Sequence, residues 1–106
     1  MKPFHNVACG DHNTILIDDI NQIYVFGYND VGQLGLGDEE YRSLPEKLST
    51  LPEGVGRIIE VACGEAHTIL LDNKNQIYVF GNNMYGQLGL GDENIRYLPQ
   101  KLSTFP

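Results

Sequence analysis

Val7–Pro52 reads VACGDHNTILIDDINQIYVFGYNDVGQLGLGDEEYRSLPEKLSTLP, and from Val61 to Pro106 the chain reads VACGEAHTILLDNKNQIYVFGNNMYGQLGLGDENIRYLPQKLSTFP. The second copy follows the first without a gap, at an offset of about 54 residues, and two repeats, 1–54 and 55–106, account for nearly all of the sequence. A period of this size belongs to arrays in which one unit cannot cover its own apolar faces and relies on its neighbours to do so.

Within each copy the residues read as strands and turns. Ile23–Phe26 and Ile77–Phe80 are short runs of β-branched and aromatic residues that stop at Gly27 and Gly81, too short for helices. Thr14–Ile17 and Thr68–Leu71 form a second pair of runs, and Asp18-Asp19-Ile20-Asn21 and Asp72-Asn73-Lys74-Asn75 between them carry the Asp and Asn of hairpin turns. A third strand is expected at Val7–Cys9 and Ile58–Cys63, and a weaker fourth at Glu46–Leu48 and Gln100–Leu102, after Pro45 and Pro99. Four strands per copy is the make-up of a propeller blade. The central strands are apolar on both faces, which requires a layer on each side, as in blades stacked about an axis.

Composition sets limits on function. The chain has 106 residues, 42% of them hydrophobic and 20% charged, the make-up of an ordinary folded domain. A net charge of −7 with only 7 Lys and Arg argues against nucleic acid and against anionic membrane surfaces. Apolar runs reach only about four residues, so neither a signal peptide nor a membrane span is expected, and the implied setting is cytoplasmic or nuclear. Cys9 and Cys63 are equivalent positions; on adjacent stacked sheets they would lie roughly 10 Å apart against the roughly 7 Å limit for a disulfide, so two small buried thiols are expected.

The signature Tyr-Val-Phe-Gly, then Asn, then Gly-Gln-Leu-Gly-Leu-Gly-Asp, then Leu-Pro, then Val-Ala-Cys-Gly with His-Thr resembles the repeat of the regulator of chromosome condensation family. The resemblance covers both copies and implies a β-propeller, seven-bladed in the family's best-known members. It also implies, through the founding member, guanine-nucleotide exchange on a small GTPase and docking on chromatin. Phe26 and Phe80 stand where many family repeats have Trp, which keeps an aromatic filler. His67 precedes Thr68 as the family pattern has it, whereas copy one has Asn13 there and His12 one place earlier. A hydrogen bond from that position is therefore in question in copy one, whose N-terminal edge is expected to be less regular.

The conspicuous glycine-rich segment Gly32–Gly37 runs GxxGxG with no helix pattern after it and no following GKS or GKT, so it reads as a compact loop with Leu34 and Leu36 tucked inward. The structural signature is thus Gly27, Gly32, Gln33, Gly35 and Gly37, their counterparts Gly81, Gly86, Gln87, Gly89 and Gly91, and His67. Asn29 and Asn83 read as loop braces, as do the two glutamines. Asp38-Glu39-Glu40 lacks the pattern of a calcium loop, and the three histidines lack triad or metal spacing, so no catalytic residue, cofactor or metal is assigned.

Where the copies differ, Met84, Tyr85, Ile95 and Tyr97 replace Asp30, Val31, Tyr41 and Ser43, a shift toward the residues enriched at interface centres. These four form the candidate partner contact, with packing beneath the long loop as the alternative. The expectation is therefore an all-β protein of about two four-stranded antiparallel blades, an incomplete propeller unless assembled, acting as a non-enzymatic interaction scaffold. Its expected partners are proteins, foremost other copies of itself joined head to tail into a ring, one blade being shared between chains if blade boundaries fall inside the repeats. The alternative is a fragment of a small-GTPase exchange regulator.

Overall fold

The computed structural model describes residues 4–103 and 105. Eight strands appear in chain order: β1 Phe4–Cys9, β2 Asn13–Asp18, β3 Ile23–Gly27, β4 Arg42–Lys47, β5 Ile58–Cys63, β6 His67–Asp72, β7 Ile77–Gly81 and β8 Arg96–Leu102. They form two four-stranded antiparallel meanders, β1-β2-β3-β4 and β5-β6-β7-β8. Both sheets are complete within the chain, so the sharing of one blade between subunits is not how this chain builds its sheets.

The turns form for the reason their sequence indicates. Asp18 Oδ1 accepts from the amides of Ile20 at 3.1 Å and Gln22 at 2.8 Å, and Asp72 Oδ1 repeats this with Lys74 at 3.0 Å and Gln76 at 2.8 Å. Asn21 and Asn75 take the left-handed conformation, φ 66° and 62°, that closes each turn and that asparagine tolerates. The fourth strands differ from expectation: they begin at Arg42 and Arg96 and run through Pro45 and Pro99 instead of starting after them. A proline is tolerated there because β4 and β8 are edge strands with only one hydrogen-bonded neighbour. Nor is the first copy's leading edge less regular, since β1 and β5 carry the same register shift, Phe4/Asn6 and Ile58/Glu60.

The core lies between the sheets. Strand pairing puts Ile15, Ile17, Ile23 and Val25 on one face of the first sheet and Thr14, Leu16, Tyr24 and Phe26 on the other. In the second sheet the corresponding faces carry Ile69, Leu71, Ile77 and Val79, and Thr68, Leu70, Tyr78 and Phe80. The Ile/Val face of the first sheet packs on the Tyr/Phe face of the second, with Leu34, Leu48, Ile58 and Val61 completing the cluster. The stack is 20 Å thin in its shortest dimension, two layers at the roughly 10 Å spacing of packed sheets.

Two faces are left over: the Tyr/Phe face of the first sheet, here the front, and the Ile/Val face of the second, the back. Thr14, Leu16, Tyr24 and Phe26 are half-buried, although their counterparts Thr68, Leu70, Tyr78 and Phe80 are fully buried. On the back Ile69, Leu71 and Ile77 are likewise half-buried and Val79 is buried, so β7 is the more deeply buried of the two central strands although each has one face on the outside of the stack.

Candidate interaction surface

The longest loops, between β3 and β4 and between β7 and β8, share one end of the two sheets with the β1–β2 and β5–β6 connections. Each long loop is organised by a buried asparagine. Asn29 Nδ2 donates to the Asp38 carbonyl at 2.9 Å and to its carboxylate at 2.8 Å, while Asn29 Oδ1 accepts from Leu34 N at 3.0 Å. Asn83 does the same with Asp92 and Leu88 and adds the Asn94 carbonyl at 3.0 Å. Gln33 and Gln87 each accept from the amide two residues back, Val31 at 3.0 Å and Tyr85 at 2.9 Å. The brace role of these four residues is thus visible atom by atom.

A second brace escaped the sequence reading. Arg42 Nη2 meets Asp38 Oδ2 at 2.8 Å and its Nε meets Glu46 at 2.6 Å, and Arg96 repeats the first contact with Asp92 at 2.7 Å. The Asp-to-Arg spacing of four, present in both copies, was the available signal. Arg42 beside Asp38, with the Glu40 amide and Asn29, holds that carboxyl below its usual 3.8, and Arg96 does the same for Asp92. For Asp72 burial pushes the carboxyl up, but the amides of Gly56, Gln76 and Lys74 outweigh it and the net shift is downward.

A carboxylate whose value is lowered by folding contributes stability above the unfolded value and loses it as the pH falls through the folded one. The braces should therefore hold unchanged from neutrality down to roughly pH 4 and release only below it. An acid titration followed by circular dichroism checks this; a loss of structure that sets in well above pH 4 would show that these carboxylates do not set the acid limit.

The glycine loop is closed by hydrogen bonds made within the chain. Its amides are spent internally: Gly32 N on Asn29 O, Leu34 N on the Asn29 side chain, Gly35 N on Gly32 O, and Gly37 N on Tyr97 O. Gly35, with φ +72°, lies so close to the Phe80 ring that an added Cβ would come within 2.9 Å of it. Gly81, with φ +109°, runs against the Ala66 carbonyl, 2.5 Å from where a Cβ would sit. Leu34 is buried and Leu36 packs against the core, as their place in the motif implies.

The four candidate contact residues are not equivalent. Met84 and Tyr85 are exposed at the loop tip, Tyr85 at 87%, and Tyr85 lines a groove with Glu65, Ala66, His67, Asn82 and Gln87. Ile95 is half-buried. Tyr97 lies in β8 against Gly32 of the first loop, and its carbonyl accepts from Gly37 N at 2.9 Å, so its place is in the packing between the sheets.

His67 packs over Gly64, and Asn13 takes the corresponding place over Gly10. Asn13 is 3% exposed and neither polar atom of its side-chain amide has a hydrogen-bond partner among the described residues. Both cysteines are free, but Cys9 is exposed and Cys63 half-buried, which corrects the expectation of two buried thiols. Cys9 is on the uncovered front face, while Cys63 faces the first sheet, where burial pushes its thiol up. Among the described residues no helix is long and apolar enough to cross a membrane.

Comparison with known proteins agrees with this architecture. The description "Regulator of chromosome condensation (RCC1) repeat" matches residues 21–71 and 74–106, and a second family of the same description matches 4–33 and 58–87. The chain is 38% identical over 99 residues to the human probable E3 ubiquitin-protein ligase HERC4, covering 92% of this chain and 9% of that protein. It is 37% identical over 98 residues to the Arabidopsis thaliana ultraviolet-B receptor UVR8, covering 92% of this chain and 22% of that one. It is also 38% identical over 104 residues to the human X-linked retinitis pigmentosa GTPase regulator, covering 97% and 10%. Among solved structures, human WBSCR16 superposes with a TM-score of 0.81 at 28% identity, covering 95% of this chain and 26% of that chain. Yeast RCC1 (Prp20) bound to Kap60 superposes with a TM-score of 0.82 at 21% identity, covering 97% and 25%, and shares the fold. The chain thus spans under a third of each of these proteins.

Proposed function

Because the chain belongs to the regulator of chromosome condensation repeat family, we propose that it is a non-enzymatic scaffold whose two blades form part of a ring, its uncovered faces taking further blades of the same kind. One observation carries this reading: the internal contact joins unlike faces, and the same residues recur on the open outsides. The front carries Thr14, Leu16, Tyr24 and Phe26, identical to the buried Thr68, Leu70, Tyr78 and Phe80. The back carries Ile69, Leu71, Ile77 and Val79 in place of Ile15, Ile17, Ile23 and Val25. Each open face is therefore shaped for the other, and heterologous contacts of this kind close into a ring when the rotation permits.

Two blades per chain give an even total, about six from three chains or eight from four, within the range that propellers occupy. Light scattering at micromolar concentration should return a trimer or tetramer of the 11.8 kDa chain. A stable monomer would overturn the assembly.

A second reading draws on the name of the GTPase regulator to which the chain is 38% identical. In it the chain is part of an exchange regulator of a small GTPase. The small share of that relative covered, 10%, leaves too little surface for exchange, and the chain alone should not accelerate nucleotide release from a GTPase. Measured acceleration would reverse the order of the two readings.

A further inference from the structure

The internal contact between the sheets is fastened by a small set of polar attachments besides its apolar core. Thr68 Oγ1 donates to the Gln33 carbonyl at 3.0 Å, buried between the layers. The Asn21 side chain clamps Ile58, its Nδ2 donating to the Ile58 carbonyl at 2.8 Å and its Oδ1 accepting from Ile58 N at 2.9 Å. Gly37 N donates to the Tyr97 carbonyl at 2.9 Å. Each attachment has one half on the first sheet's Ile/Val side and the other on the second sheet's Tyr/Phe side.

Moved by one repeat, these groups fall on the two open faces. On the back are the Gln87 carbonyl, Asn75 and Gly91; on the front are the Thr14 hydroxyl, the Phe4 backbone and the Ser43 carbonyl. Several are visibly unspent. Asn75 is exposed at φ 62°, matching Asn21 at 66°, and its amide side chain has no partner among the described residues. The Thr14 hydroxyl has none either, and no atom lies within 4 Å of the Cβ position of Gly91, where Gly37 has Leu98 at 3.1 Å. Phe4 and Ser43 differ from Ile58 and Tyr97, but the attachment uses only their backbone atoms, which no substitution removes.

We infer that a second copy of this chain docks its front on the back of the first through the same three attachments, Thr14 to Gln87, Asn75 to Phe4 and Gly91 to Ser43. This rests on the ring assembly proposed above and goes further by assigning the junction a direction and a register. The occupant is a second copy because its front presents the four side chains that already fit an Ile/Val face of this kind inside the chain, with a matching hydrogen-bond half at each of these three attachments, although the Asn6-to-Ile59 bond of the internal contact has no counterpart, Glu60 standing where Asn6 does. The junction differs from the internal one at the Asn13 position, where the back presents His67.

The test uses two full-length variants in reducing buffer. Leu16→Lys disables the front and Ile69→Lys disables the back; both side chains are half-buried in the isolated chain, so each variant keeps its strands. Each alone should be a monomer, and an equimolar mixture should give a 1:1 dimer and nothing larger, because only one intact front meets one intact back. A dimer of either variant alone would show that like faces pair. A mixture that stays monomeric while the unmodified chain assembles would place the junction elsewhere and leave the ring standing. A monomeric unmodified chain would remove both.

Thr14→Val tests the register without placing a charge on either face. It deletes a hydroxyl with no partner among the described residues, so folding should be unaffected, and the concentration at half-assembly should rise about tenfold. An unchanged midpoint would refute the Thr14-to-Gln87 attachment even if one of the lysine variants fails to fold.

Discussion

Phe80→Ala is expected to cost about 3–5 kcal/mol of unfolding free energy, a large part of what holds a domain of this size together. The ring is fully buried, it belongs to the cluster between the sheets, and Gly35 of the other sheet lies against it, so truncation opens a cavity that a backbone already in contact cannot fill. The urea midpoint should fall steeply with the slope unchanged, and soluble expression should collapse. Phe26→Ala is the informative control. Residue and strand position are the same, but Phe26 is half-exposed on the front, so the loss in the isolated chain should be less than half as large. Equal losses would mean that Phe26 is covered within a single chain, and the front would not be an open face.

Asn83→Ala should be the most damaging polar substitution, at about 2–4 kcal/mol. The side chain is fully buried and holds four bonds: to the Asp92 carbonyl at 3.1 Å, the Asp92 carboxylate at 3.0 Å, the Asn94 carbonyl at 3.0 Å, and from Leu88 N at 3.0 Å. Alanine leaves the Leu88 amide buried without an acceptor and frees the loop from Arg96 and Asp92. Asn83→Asp offers no rescue, because it keeps the acceptor for Leu88 but replaces the donor and sets a carboxylate against Asp92. Hydrogen exchange at the Leu88 amide reads the effect directly; protection equal to that of the unmodified chain would show that the loop is held by its glycines and Arg96 alone.

Much of this was legible in the residues because it is local. An Asp followed three residues later by Asn makes the same turn at 18–21 and 72–75 whatever surrounds it, and a buried Asn accepts from the amide five residues on and donates to the carbonyl and carboxylate nine residues on in both copies. Alternation along Ile23–Phe26 and Ile77–Phe80 fixes which side chains share a face. The start of β4 and β8 was less legible: Pro45 and Pro99 read as strand boundaries, and only the sheet order shows that both lie on an edge, where a missing N–H is tolerated. The Asp38–Arg42 and Asp92–Arg96 braces were present as spacing but carry meaning only once the loop folds back to the start of the next strand.

By itself, then, the sequence determined the repeat, the strands, the turns and the family, since each depends on residues close together in the chain. Burial was decided by tertiary structure, because it depends on what lies on the other side. Phe26 and Phe80, Gly32 and Gly86, Cys9 and Cys63 are identical pairs at identical positions, yet the second sheet covers Gly32 and the first covers Phe80 and part of Cys63, while Phe26, Gly86 and Cys9 face outward. The candidate contact residues divide in the same way: Tyr85 and Tyr97 both entered as aromatic replacements in copy two, and the stacking of the sheets puts Tyr97 between them and leaves Tyr85 at the rim. Repeated residues carry repeated local structure, but the stack has two ends, and the ends give identical side chains different neighbours.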